Sequence, residues 1–137
     1  MRHRLLCAGA LVLSGCAARY AAPANGRSSL GPEESFECAK KQMAALGYKQ
    51  TSIDVAERRL SGTKIDPKGR RPDVQFRRML DKLEVEVAPG ADGQTSVQVQ
   101  GRTFAEYTTQ RGPTEVEEEA SAEAKAASQQ LLERCRG

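Results

Sequence analysis

Tryptophan is absent from this chain, aromatic residues make up only 4% of it, and its one histidine is His3. Beyond residue 3 there is no imidazole. That excludes Ser-His and Cys-His nucleophilic machinery, histidine acid–base work and histidine metal ligation. There is no glycine-rich phosphate loop followed by Lys-Ser/Thr and no Cys-x-x-Cys pair. Carboxylates are plentiful but dispersed: Asp66, Asp73 and Asp92 are too scattered for a calcium loop. The scarcity of aromatic side chains also argues against a well-formed small-molecule pocket. No catalytic, cofactor-binding or metal-binding residue is therefore assigned, no cofactor is implied, and the chain is read as a non-enzyme.

Charge of one sign is lacking too. Lys and Arg number 21 against 18 Asp and Glu, a formal net charge of +3. Arg2 and Arg4 lie in a segment argued below to be removed. Without them 19 basic residues face 18 acidic ones, and no electrostatic footprint for nucleic acid survives.

What is present begins at the N-terminus. Met1-Arg2-His3-Arg4 is a short cationic start, and Leu5 to Leu13 follow as nine residues without a charge. A helix needs about 20 apolar residues to span a bilayer, so this run is too short. It fits the hydrophobic region of a signal peptide. Leu13-Ser14-Gly15-Cys16 comes next, an aliphatic residue, two small residues and a cysteine. This motif resembles the lipobox of bacterial lipoproteins, and the resemblance covers residues 1–16. It implies diacylglyceryl transfer to the Cys16 thiol, cleavage between Gly15 and Cys16, and N-acylation of the new terminus. Two or three acyl chains give stable membrane anchoring where one gives only marginal binding. Ala17 stands where an Asp would favour inner-membrane retention, which resembles the outer-membrane class facing the periplasm in an organism with two membranes.

Residues 1–15 are thus read as a lipoprotein signal peptide and 16–31 as the lipidated cysteine with a flexible tether, because 17–31 are small and polar with no apolar period. Residues 32–137 are read as one domain. Pro32, Glu33 and Glu34 suit a helix start, Phe36, Ala39, Met43 and Leu46 share a face, and Gly47 suits a C-terminal cap, so a helix is predicted over 32–46. Strands are predicted at 48–55, where Thr51, Ile53 and Val55 share a face, and at 60–65. Residues 66–78 read as a loop. Leu83, Val85 and Val87 alternate with Glu84 and Glu86, and Val97, Val99, Gly101 and Thr103 alternate with Gln98, Gln100 and Arg102. The turn at 89–93 joins them as a hairpin. Thr114 with Glu117 resembles a capping box, and Val116, Ala120, Ala124, Ala127, Leu131 and Cys135 form a narrow stripe, which predicts a helix over 115–135. The expected fold is α+β: helix, four antiparallel strands and helix in a two-layer sandwich, with both helices on one sheet face.

Of four cysteines, Cys7 leaves with the signal peptide and Cys16 takes the lipid. Cys38 and Cys135 remain, one on each predicted helix. In an exported domain such a pair reads as a disulfide, the alternative being two free buried thiols.

Two charged patches stand out. Lys68, Arg70, Arg71, Arg77 and Arg78 surround Phe76 and form a possible contact patch for anionic lipid or an acidic partner. Glu115, Glu117, Glu118, Glu119 and Glu123 form an acidic cluster able to pair with it. The expected role is that of a membrane-anchored envelope lipoprotein acting as a non-catalytic interaction or scaffolding module with an envelope protein partner. The alternative is a small-ligand or lipid-binding domain.

Overall fold

The computed structural model describes residues 20–137. The signal peptide expected at 1–15 and the lipid site expected at Cys16 lie outside the described residues. The fold is α+β. Eight elements follow in order: β1 (Ala22–Ser28), α1 (Pro32–Ala45), β2 (Lys49–Asp54), β3 (Arg59–Asp66), β4 (Phe76–Pro89), β5 (Thr95–Thr109), β6 (Gly112–Glu118) and α2 (Ala122–Arg134). All strand pairings are antiparallel, in the order β1-β5-β4-β3-β2, with β6 also on β5.

The β4–β5 hairpin is the spine. Val85 pairs with Val99 and Val87 with Val97, in the register that the alternation predicts, across a turn at 90–94. Both strands run further than expected, because β4 begins at Phe76, inside the predicted loop, and β5 continues to Thr109. β5 is long enough to carry two partners end to end on its outer edge. β1 covers residues 95–101 and β6 covers 103–109.

Three sequence expectations are overturned here. The sheet has six strands rather than four. The tether does not extend to residue 31: Ala22–Ser28 is a strand despite a sequence poor in β-formers. An edge position suits it, since Pro23 lacks an N–H and is tolerated there, and Ala24 and Ser28 are buried. The last helix does not start at 115. Residues 112–118 form β6, and Ser121 caps α2, its hydroxyl accepting from the Ala124 N–H. On a helix the run Glu115 to Glu119 would stack like charges within one turn. As a strand, it points Glu115 toward Lys82 and Glu117 toward Arg102.

Side chains of both helices and the odd-numbered positions of β4 and β5 form one apolar cluster. Phe36, Ala39 and Met43 of α1, Ala127, Leu131 and Leu132 of α2, and Leu83, Val85, Val87, Val97 and Val99 belong to it, with Leu60 of β3. The alanine-rich stripe lets α2 lie close: a Cβ on Gly101 would stand 2.5 Å from the Ala124 carbonyl oxygen. Gly62 serves α1 in the same way, under the Met43 sulfur. Cys38 and Cys135 are bonded, with Cα atoms 5.7 Å apart. β2 lies beyond this cluster. Every residue of it is exposed, Ile53 included, Val55 lies in the turn beyond it and is exposed too, and a bulge between Gln50 and Ser52 sets Thr51 out of register with Ile53, so the expected buried face does not form. Leu60 points inward and Ile65 outward, as their opposite parity requires.

Candidate interaction surface

Strand alternation puts the even-numbered residues of β4 and β5 on the side away from the cluster. Across β5, β4 and β3 this gives Gln98, Glu86 and Arg59 in one row, Gln100, Glu84 and Ser61 in the next, and Arg102, Lys82 and Thr63 in a third. Two open grooves run over this surface. One, of about 470 Å³, is lined by Pro23, Asn25, Arg59, Glu86, Gln98 and Gln100. The other, of about 910 Å³, is lined by Lys49, Thr51, Thr63, Ile65, Leu80 and Lys82. Ser61 and Glu84 line both, so the two are continuous.

Charge on this surface is ordered. Lys82 and Arg102 stand opposite each other, as do Glu106 and Glu115, and like charges so placed repel. Each is relieved diagonally: Lys82 binds Glu115, and Arg102 lies 3.4 Å from Glu84 and 3.5 Å from Glu117. Lys82 also sits 4.6 Å from the centre of the Phe104 ring, a cation–π contact. Glu106 is buried under two guanidinium groups, Arg78 at 3.2 Å and Arg77 at 3.4 Å.

The predicted basic patch is thereby taken apart. Arg77 and Arg78 are spent on Glu106, and Arg71 on Glu118 of β6, a hydrogen bond that raises its pKa further. Arg70 donates to the carbonyls of Pro67 and Gly69, within its own loop. Phe76 packs edge-on against Tyr107, with ring centres 6.0 Å apart. Lys68 has no carboxylate partner among the described residues. The acidic cluster meets the basic one inside the fold, as their opposite signs allow, but from β6 rather than from a helix.

A second polar group sits at the boundary of the core. Asp81 is buried and accepts from Thr103 Oγ1 at 2.6 Å and from Ser121 Oγ at 2.9 Å. Ser121 also donates its N–H to Thr103 Oγ1. This ties the start of α2 to β4 and β5. In the sequence Asp81 looks like one more charge between apolar residues. Its odd-numbered position, in phase with Leu83 and Val85, is the available signal. Nearby, the Tyr48 hydroxyl is buried without a hydrogen-bond partner among the described residues. Burial, then the charges of Asp81 and Glu123, push its pKa well above the ordinary value of 10.0.

Among the described residues no three His, Cys, Asp or Glu side chains are placed to hold a metal ion, and no helix is long and apolar enough to cross a membrane. Comparison with known proteins finds no family model and no curated protein that matches this chain.

Proposed function

We propose that this chain is a lipid-anchored envelope protein whose domain is a non-catalytic interaction or scaffolding module, engaging an envelope partner with the even-numbered face of its sheet. In this reading the sheet is one layer, both helices cover one side of it, and the other side is left to the partner. The carrying observation is the continuous grooved surface of Gln98, Gln100, Glu84, Ser61 and Arg59, polar and uncapped by any described element of the fold. A surface rich in side-chain amides and paired charges suits a hydrogen-bonded, wet contact more than an apolar one. The anchor rests on the lipobox-like Leu13-Ser14-Gly15-Cys16, and the outer-membrane, periplasm-facing placement on Ala17.

The test is in-cell cross-linking of the full chain, wild type against Gln100→Arg/Glu84→Arg, followed by mass spectrometry. One dominant envelope protein captured by the wild type and lost in the variant supports the reading. Equal capture by both moves the contact elsewhere. If only a co-purifying small molecule or lipid is found, the ligand-binding reading replaces it; the second groove has the volume of a ligand site.

A further inference from the structure

The chain enters the described fold close to the basic loop. The Tyr20 carbonyl accepts from the Ala120 N–H, two residues beyond Glu118, and Glu118 is where Arg71 of the 67–75 loop is bound. The same loop covers the end of the sheet: a Cβ on Gly69 would collide with the Met79 side chain, and the Thr108 N–H donates to the Gln75 carbonyl. Because β1 takes residues 22–28, only four peptide steps separate Cys16 from Tyr20. At full stretch these reach about 14 Å. A lipid on Cys16 would therefore lie within that reach of Tyr20, beside the strand end to which the loop is bound through Arg71 and Glu118.

What this end exposes fits a membrane surface. Six large apolar side chains are exposed among the described residues, and Tyr20, Val74 and Val116 are three of them. Val74 is as exposed as a side chain can be, at 103%. Val116 lies on β6 opposite Ala105, in the same cross-strand row as Met79. Lys68, without a carboxylate partner among the described residues, and Arg70, bound only to its own loop's carbonyls, belong to the same loop as Val74. A tyrosine, an exposed apolar loop residue and basic side chains match the interface between headgroups and acyl chains.

We propose that the 67–75 loop is a second membrane contact, which rests Val74 on the bilayer against anionic headgroups bound by Lys68 and Arg70 and so fixes the orientation of the lipid-anchored domain. This rests on the lipid-anchor reading. The domain then lies on the membrane with the β2–β3 turn pointing away, about 23 Å further along the sheet for seven residues of β3.

The chain has no tryptophan, so one introduced indole is a clean reporter. Val74→Trp and, as the distal reference, Val55→Trp are made in the full lipidated chain and placed in vesicles of phosphatidylglycerol and phosphatidylcholine. Both sites are exposed, at 103% and 63%, so neither variant should disturb folding. Brominated acyl chains are expected to quench the Val74→Trp fluorescence at least about twofold and to leave that of Val55→Trp little changed. Adding Lys68→Ser/Arg70→Ser, or omitting the anionic lipid, should remove most of that quenching. Equal quenching in both variants, or none in either, overturns the proposal. So does a blue shift of the Val74→Trp emission that persists in detergent and grows with protein concentration, which assigns the loop to a second copy of the chain. The mass of the N-terminal peptide separates the two readings. An acylated Cys16 with the position-74 indole in water sinks the orientation alone, and an unmodified Cys16 sinks both.

Discussion

Asp81 and Tyr48 are the side chains whose surroundings make sharp demands. Asp81 brings a carboxylate into the core boundary and is stabilised there by two hydroxyls, one of which caps α2. Removing it orphans both donors. Asp81→Ala is expected to lower stability by about 2–3 kcal/mol in urea unfolding, against no more than about 1 kcal/mol for removing an exposed ion pair such as Arg59–Glu86. Tyr48 is the opposite case, a buried hydroxyl without a partner among the described residues. Its pKa is raised in the folded state, so the folded chain holds this proton where the unfolded chain releases it. The stability linked to the neutral phenol is intact below the ordinary value of 10.0 and falls as pH rises past it. Tyr48→Phe should be neutral or up to about 1 kcal/mol more stable near neutral pH. Its urea midpoint should also fall less steeply above roughly pH 10 than that of the parent. An identical alkaline decline in both proteins would show that other groups govern it.

At the scale of elements, the disulfide adds a covalent link to two helices that already share one apolar cluster. α1 and the residue that ends α2 are joined by Cys38–Cys135, beside a hydrogen bond from Arg134 to Gln42 and a shared apolar cluster, and the disulfide closes a loop with a sequence separation of 97. Chain entropy assigns about 4–5 kcal/mol to a loop of that length. The double variant Cys38→Ser/Cys135→Ser, or the parent under reductant, is expected to lose stability of that order in equilibrium unfolding. A loss below about 1 kcal/mol would mean that the sheet and α2 hold without the staple. β1 and β6 illustrate a different rule at this scale. Neither sequence declares a strand, yet β5 offers unpaired backbone over its whole length, and satisfying those groups outweighs weak local propensity.

For the whole molecule, the short link between Cys16 and β1 matters most. On the proposed lipid anchor, a tether reaching to residue 31 would let the domain roam, whereas one that gives way to β1 at Ala22 would keep it near the lipid surface. Cys16→Ser should move the protein from the membrane pellet to the soluble fraction and leave the signal peptide uncleaved by the lipoprotein peptidase. A variant still sedimenting with lipid after a carbonate wash would overturn the anchor. The charge arrangement acts at this scale as well. Basic and acidic runs far apart in sequence neutralise each other across β4, β5 and β6, leaving the amide-rich rows near Gln98 and Gln100 as the least committed part of the sheet.

The sequence by itself determined the α+β class, α1 with its glycine stop, the β4–β5 hairpin and its register, and the cysteine pair. Each of these is written in local periodicity, in capping residues or in cysteine count. Alternation at Leu83–Val87 and Val97–Thr103 needs no knowledge of the partner strand, because one face of each must be dry. Only the tertiary structure decided that Ala22–Ser28 and Gly112–Glu118 are strands, that β2 is a wet edge, and that the basic patch is mostly neutralised. These depend on what lies next to a segment in space. Thr114 to Glu117 satisfies a helix-start pattern equally well until Lys82 and Arg102 are seen to wait across the sheet. The same holds for the candidate surface: Gln98, Gln100 and Glu84 are legible as wet positions of strands, but their union into one continuous grooved surface comes from strand order, which no local pattern encodes.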